Sequence, residues 1–187
     1  QEPTHTELPI KQKQFIHSHT TDKDKIIVKG TNGPFKLKMN AGQVWLDDDI
    51  TLSPSDLDTG SIQAGKDYNV FACYDEGQLD LLFSLASTYP AGYDADTSLL
   101  IGGFHTECAD VGTISGHPLS GYLAGHVLPK SCWDLRHRAK CMDNRGLAYN
   151  SELDLWIQIY LASDNGAGGV QSVYNATILD VIDWNAF

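Results

Sequence analysis

Apolar and polar residues alternate in short runs near the start of the chain, and turn-forming residues separate the runs. Such runs lie at residues 25–29, 34–39 and 43–46. Side chains with a period of two point to opposite faces of an extended backbone, so the pattern predicts short β-strands. Strands this short and few cannot enclose a core of their own. Two arrangements stay open, an intertwined trimeric β-prism in which copies supply the core and a monomeric meander.

A β-hairpin is predicted where two apolar-rich runs, 66–74 and 79–85, flank the connection 75–78. This connection is short and polar and contains glycine, which is typical of a hairpin turn. A further strand is predicted near residues 99–104, so that the three runs form an antiparallel sheet. Because both faces of the first run carry apolar side chains, we expect this small β-sandwich sheet to be covered on both sides.

Residues 112–130 are rich in glycine, serine, histidine and proline and show no sustained period. A connector of this length favours an ordered loop or a strap between domains. Beyond it, residues 153–161 alternate again, and the pattern predicts a strand that buries Leu155, Ile157 and Ile159 on one face. The predicted domains are residues 1–62, an N-terminal β region expected to trimerise, residues 63–111, a small antiparallel β domain, and residues 112–187, the connector and a C-terminal module.

Charge and hydropathy exclude two classes of partner. The chain has 187 residues and a formal net charge of −11, whereas nucleic acids and anionic membranes are bound by clustered Lys and Arg. No apolar run reaches the ~18 residues that a membrane span requires. We therefore expect neither nucleic-acid binding nor membrane insertion.

The four cysteines, Cys73, Cys108, Cys132 and Cys141, lack the Cys-x-x-Cys spacing of zinc ribbons and thioredoxin-type motifs. Thiols that pack as small apolar side chains are the favoured interpretation. If a disulfide forms, Cys132 and Cys141 would close the shortest loop between neighbouring cysteines.

His17 and His19 are a candidate metal site. Side chains two positions apart share a face of an extended segment. Three copies of the pair around a trimer axis would offer six imidazole nitrogens, which suits an octahedral transition-metal ion. The alternative is a pair of exposed histidines near the N-terminus, and no other cofactor is expected.

Catalytic chemistry is not expected. The histidines between residues 105 and 137 show no ligand spacing of a hydrolytic zinc site, and no nucleophile is paired with a base. The carboxylates at residues 47–49 lack the spacing of an EF-hand, which favours a solvated acidic loop. The chain is therefore predicted not to be an enzyme.

The best candidate for a protein-binding surface includes Trp133, Arg136 and Arg138, because Trp and Arg are enriched at interface hot spots. The alternative is an internal lock, with Trp133 in the core and an arginine paired with a carboxylate. Trp156 and Tyr160, which point away from the predicted core face of their strand, are further interface candidates.

Motifs in the second half of the chain follow one another in a distinctive order. They are LLIGGFHT at residues 99–106, GHPLSGY at 116–122, CWDLRHR at 132–138, LWIQIYLAS at 155–163 and SVYNATI at 172–178. In this order they resemble phage tail-fibre proteins of the major tropism determinant type. The resemblance extends over about residues 67–187.

This resemblance implies a trimeric virion protein in which short β-domains carry a C-type-lectin-like receptor-binding module. It implies that residues 153–161 open this α+β module and that residues 180–187 begin its first helix. Family members continue well beyond that point, whereas the sequence stops at Phe187, so the lectin-like module is expected to be partial.

Two functions are therefore considered for a bacteriophage virion protein. The first is a tail-fibre or receptor-binding component that mediates host attachment. The alternative is a head fibre, a capsid decoration or a baseplate adaptor with a purely structural role. The expected partners are two further copies in a homotrimer, other virion proteins and, for the first function, a bacterial surface receptor.

Overall fold

The computed structural model describes residues 14–30, 35–135, 143–150, 153, 155–167 and 169–178. This part of the chain is built mainly from β-strands, which confirms the predicted mainly β class. No helix within it is long and apolar enough to cross a membrane. The strands are β1 Ile16–Ser18, β2 Ile26–Val28, β3 Phe35–Lys38, β4 Gln43–Leu46, β5 Ile50–Leu52, β6 Asp67–Asp75, β7 Gln78–Ser84, β8 Ser98–His105, β9 Trp133–Asp134, β10 Leu147–Asn150, β11 Leu155–Gln158, β12 Ala162–Asp164 and β13 Val170–Ser172.

The N-terminal strands form two small antiparallel sheets, one of order β1-β2-β5 and one that pairs β3 with β4. In the second sheet, the cross-strand partners Leu37 and Val44 are buried, whereas the partners Lys36 and Trp45 are exposed. The Lys36 ammonium lies 5.6 Å from the centre of the Trp45 ring, a cation–π contact. The predicted period-two strands are confirmed here.

The central sheet has the order β7-β6-β8-β9. Its β6-β7 hairpin ends on the pair Asp75 and Gln78, and the two turn residues Glu76 and Gly77 have φ angles of 47° and 91°. Positive φ at both central residues matches the right-handed twist of the flanking strands. The predicted hairpin and its third strand are both confirmed.

The core lies on one face of the central sheet. Tyr68 stacks on Phe104 at 5.5 Å between ring centres, and both rings meet Phe83 edge to face. The same buried cluster reaches from Phe15 to Cys132. The N-terminal strands therefore share a core with the central sheet of their own chain. The three-domain division stays a prediction, and its boundaries after residues 62 and 111 fall inside this shared core.

The opposite face of the central sheet is covered by residues 86–97. Asn69 donates a hydrogen bond from its side-chain amide to the carbonyl oxygen of Ala86, and the Tyr93 hydroxyl donates to Asp80. Phe71 and Cys73, which point to this face, are fully buried. The expectation that both faces are covered is confirmed.

Residues 107–128 form an ordered loop that returns to its own start. The Glu107 amide donates to the carbonyl oxygen of His126, and the Val127 amide donates to that of Lys23 in the β1-β2 turn. The Lys23 ammonium also lies 4.6 Å from the centre of the Tyr122 ring. The predicted ordered loop is confirmed, and it is fastened to the N-terminal sheet.

The strand predicted at residues 153–161 is shorter than expected, and its buried face is wrong. β11 pairs with β10 in a two-stranded sheet, and Leu155 and Ile157 are 46% and 47% exposed. Trp156 on the other face packs 5.3 Å from Tyr149, its cross-strand partner. A two-stranded sheet is buried only on the face that packs against another element. Among the described residues, no element covers the face that carries Leu155 and Ile157. The helix predicted at 180–187 lies outside the described residues.

Candidate functional site at the junction of the central sheet and the C-terminal hairpins

A buried histidine lies where the central sheet meets the C-terminal hairpins. Asp67 begins β6 and His105 ends β8, and the two residues are cross-strand partners. Their pairing brings His105 Nδ1 within 2.8 Å of a carboxylate oxygen of Asp67, and His105 is only 2% exposed. The geometry follows from the strand register, because directly opposed residues of neighbouring strands project their side chains to the same face.

Tyr160 completes a chain of three polar side chains. Its hydroxyl oxygen lies 2.8 Å from His105 Nε2, and the two rings meet at 5.4 Å between centres. Burial, the largest cause, raises the pKa of Tyr160 well above its ordinary value. The phenol therefore keeps its proton. Because a carboxylate oxygen only accepts, the hydrogen bond between His105 and Asp67 is donated from Nδ1, and in the neutral imidazole Nε2 then accepts from the phenol.

Backbone groups of the C-terminal hairpins form hydrogen bonds with the same cluster of polar side chains. The Gly146 amide, just before β10, donates to Asp67 at 2.9 Å. The Ser172 hydroxyl donates to the carbonyl oxygen of Gly146 and accepts from the Tyr160 amide. Asp67, His105, Tyr160, Gly146 and Ser172, here called the junction, therefore join β6 and β8 to β10 and β13.

The chemistry of the junction favours positioning over reaction. A carboxylate and an imidazole in series activate a nucleophile when the third group is a hydroxyl whose proton can leave. In this structure the third group is Tyr160, a phenol with a raised pKa that is held between rings. Satisfied buried polar groups of this kind specify one relative orientation of the elements they join.

The C-terminal hairpins carry exposed apolar side chains and little charge. Between residues 155 and 178 the sequence contains one charged residue, Asp164. The large apolar side chains that are roughly half exposed or more, here called the apolar surface, are Leu155, Ile157, Leu161, Val170 and Ile178. Exposed large apolar side chains are candidates for contact with a protein partner.

Comparison with known proteins agrees with this architecture. The family model described as the Mtd second domain matches residues 18–134. The chain belongs to this family. Solved structures titled Major Tropism Determinant M1 Variant and U1 Variant match with TM-scores of 0.68 and 23% identity, and the P3c Variant matches at 0.67 and 24%. No curated protein matches the chain.

The solved Major Tropism Determinant structures share the fold over most of this chain but extend beyond it. The first two matches cover 91% of this chain and 41% of the matched chain. The family model itself includes Asp67 and His105, whereas Tyr160 lies beyond residue 134. The junction therefore ties the Mtd second domain to the segment that follows it, and the predicted family resemblance is confirmed.

The two histidines predicted to bind metal form hydrogen bonds with local backbone groups. His17 Nε2 lies 2.7 Å from the carbonyl oxygen of Gln14, to which it donates. His19 Nδ1 accepts the amide of Asp22 at 3.0 Å, which closes the turn before β2. A neutral His19 then carries its proton on Nε2. The described residues contain no group of three or more metal-ligating side chains, and metal binding by this pair stays a prediction.

Trp133 has the internal place that one of the two sequence interpretations gave it. It is 7% exposed, and a Cβ atom at Gly103 would lie 2.7 Å from its indole nitrogen. Asp134 beside it is fully buried and accepts the amides of Phe15 and Ile16. Asp134 thus anchors β1 to the central sheet. Because the Trp133 ring is almost fully buried, it is not exposed for contact with a partner.

The other candidates fall in three different situations. Arg136 and Arg138 lie outside the described residues, so their interface role stays a prediction. Trp156 is partly exposed and packs on Tyr149. Tyr160 uses its hydroxyl inside the junction. Cys73, Cys108 and Cys132 are free thiols, so the bridge considered from Cys132 is not formed, and Cys141 lies outside the described residues.

The junction was missed by sequence reasoning. The sequence offers His105 only as a candidate zinc ligand and Tyr160 only as an interface residue, and no motif distinguishes Asp67. No spacing signal could have paired them, because 55 positions separate His105 from Tyr160 and 38 separate it from Asp67. The sequence contained only a weaker indication of this site, namely a histidine at the end of a predicted apolar strand.

Proposed function

We propose that this chain is part of a bacteriophage tail-fibre or receptor-binding protein that mediates host attachment. The observation that carries the proposal is the junction, which fixes hairpins with an exposed apolar surface to an Mtd second domain. An attachment protein needs such a rigid support, because a binding surface held in one orientation loses less conformational freedom when it meets its target.

The names of the matched proteins support this role. They name those proteins as major tropism determinants, and their fold covers 91% of this chain. Because this chain spans 41% of their length, we assign it the supporting part of an attachment protein. For the whole attachment protein, the proposed partner is a bacterial surface receptor.

We further propose a homotrimer that is incorporated into the virion, with other virion proteins as neighbours and without enzymatic activity. The support is the apolar surface, since exposed large apolar side chains favour assembly with a protein partner. The strong negative charge of the chain agrees with a protein that binds neither nucleic acid nor anionic membranes.

Antibodies raised against the purified chain test the attachment function. They are applied to particles of a phage that carries this gene, and both the site of labelling and the adsorption to host cells are measured. We expect labelling at the tail and a loss of adsorption, with preimmune antibodies as the control. Labelling of the head or baseplate with normal adsorption would support the alternative role of head fibre, capsid decoration or adaptor.

As a separate proposal, we infer that His17 and His19 of three chains bind one transition-metal ion on the trimer axis. Ligation by His19 Nε2 would require its proton to move to Nδ1, which would cost the hydrogen bonds that Nδ1 accepts from the turn. Elemental analysis of the purified protein and of the His17→Ala/His19→Ala variant tests it. A metal content that survives the double substitution would contradict this placement.

A further inference from the structure

A cleft of about 520 Å³ opens between the start of β6 and the C-terminal hairpins. Asp67 and His105 of the junction line it, together with Gln158, Asn165 and residues 170–174. Its volume is in the range of pockets that hold small organic ligands. Because the junction holds these elements together through buried hydrogen bonds, the cleft is formed before any ligand arrives.

The charges that line the cleft cancel. Lys66 and Arg145 are balanced by Asp67 and Asp143. Arg145 Nε lies 2.9 and 3.0 Å from the two carboxylate oxygens of Asp143, and the nearest terminal nitrogen lies 2.5 Å from one of them. This forked pair holds the pKa of Asp143 below its ordinary value. A lining whose formal charges sum to zero, and whose arginine already has a carboxylate partner, favours a neutral ligand over an anion or a cation.

The remaining lining combines amides with one aromatic ring. Gln158, Asn165 and Gln171 line the cleft. Asn165 Oδ1 already accepts the amides of Ala167 and Gly169, and Gln171 Nε2 donates to the carbonyl oxygen of Asp164. The hydrogen-bonding groups left for a ligand are the Asn165 amide nitrogen, the Gln171 amide oxygen and the side chain of Gln158. Tyr174 lies against Gly65, where a Cβ atom would come within 2.7 Å of its ring, yet the residue stays 43% exposed. The ring therefore presents an apolar surface beside several amides.

We propose that this cleft binds a neutral oligosaccharide of about two or three rings. Sugar hydroxyls require paired donors and acceptors, which the carboxamides supply, and the C–H faces of the rings require an apolar plane, which Tyr174 supplies. The proposal goes beyond the attachment function. Glycan binding by the purified chain can fail while the antibody experiment succeeds, and the reverse can also occur.

Titration of the ¹⁵N-labelled full chain with maltotriose, cellotriose and chitotriose tests the proposal, each at up to about 10 mM to detect weak binding. We expect at least one sugar to shift the amide resonances of Gly65, Gly146 and Ser172, with a dissociation constant in the millimolar range or below. Sialyllactose serves as the anionic comparison and is expected to bind more weakly.

Two variants locate the sugar. Tyr174→Leu is expected to raise the dissociation constant at least about tenfold, and the exposed Gln158→Ala is expected to weaken binding without loss of fold. Gln78→Ala at the tip of the β6-β7 hairpin is the control and should bind like the parent chain. No response to any of the three sugars, tighter binding of sialyllactose, or resonance shifts confined to other parts of the chain would each overturn the proposal.

Discussion

The hydroxyl oxygen of Tyr160 lies 2.8 Å from Nε2 of His105, a residue 55 positions earlier in the chain. This contact joins the last residue of a central strand to the segment between two C-terminal hairpins. Because His105 is buried and its Nδ1 already bonds to Asp67, the orientation of the hairpins depends on a buried polar side chain.

Tyr160→Phe tests that contact. The substitution removes one hydroxyl and leaves His105 Nε2 buried without its donor, which should lower the free energy of unfolding by about 1–3 kcal/mol. Urea denaturation measures the change, and hydrogen exchange at Gly146 and Ser172 should accelerate. Tyr89→Phe, on a ring that is 45% exposed, is the matched control and should be nearly neutral. Equal stability of the two variants would contradict a role for the junction in holding the hairpins.

Gly103→Ala tests the close approach of Trp133 to β8. A Cβ atom at Gly103 would lie 2.5 Å from the carbonyl oxygen of Tyr68 and 2.7 Å from the Trp133 indole nitrogen. Neither backbone nor a buried ring yields easily, so we expect a loss of at least about 3 kcal/mol. Gly60→Ala is the comparison, because its φ is +83° and no atom lies within 4 Å, and it should cost only about 1–2 kcal/mol. Thermal melts that rank the two variants in reverse would show that Trp133 can move.

Ile157→Asp and Gln158→Asp test which face of β11 is covered. Ile157 is 47% exposed and Gln158 is exposed as well, so each substitution should change the free energy of unfolding of the isolated chain by no more than about 0.5 kcal/mol. If copies assemble through the apolar surface, Ile157→Asp should weaken the trimer in analytical ultracentrifugation, whereas Gln158→Asp should weaken it less. A large loss of stability in Ile157→Asp at concentrations where the protein is monomeric would show that this face is buried within the chain.

Thiol labelling tests the burial of Cys73 and Cys132. Burial raises the pKa of both thiols from 9.0 to about 12, so at pH 8 neither should react with iodoacetamide until the protein unfolds in urea. Peptide mass spectrometry assigns each labelled site and follows Cys141 separately. Labelling of Cys73 or Cys132 in the folded protein at a rate close to that in urea would contradict this.

The same shifts set the direction of a pH dependence. A thiol whose pKa is raised by folding contributes its full stability below pH 9, where it is protonated in both states. As the pH rises from about 9 toward 12, the unfolded thiol ionises and the folded one does not. The free energy of unfolding should therefore fall over this range, and Cys73→Ala should reduce the slope.

The hairpin of the central sheet was predictable because its signal is local. A short polar linker with glycine at residues 75–78 is sufficient to specify the turn, and the apolar residues on both faces of β6 specify burial on both sides. The sequence predicted a buried Trp133 only as one of two alternatives. To choose the buried position, one has to know that Gly102 and Gly103, which lack a Cβ atom, allow β9 to approach β8 closely.

The sequence by itself determined the β class, the central hairpin, the ordered loop and the family, since turn residues, period-two patterns and an ordered set of motifs are properties of neighbouring residues. Only the tertiary structure decided which face of β11 is exposed and which side chains meet His105. An alternating strand specifies two faces but does not say which one a later layer covers. The contact of Tyr160 with His105 likewise depends on how distant segments pack, and no local pattern encodes it.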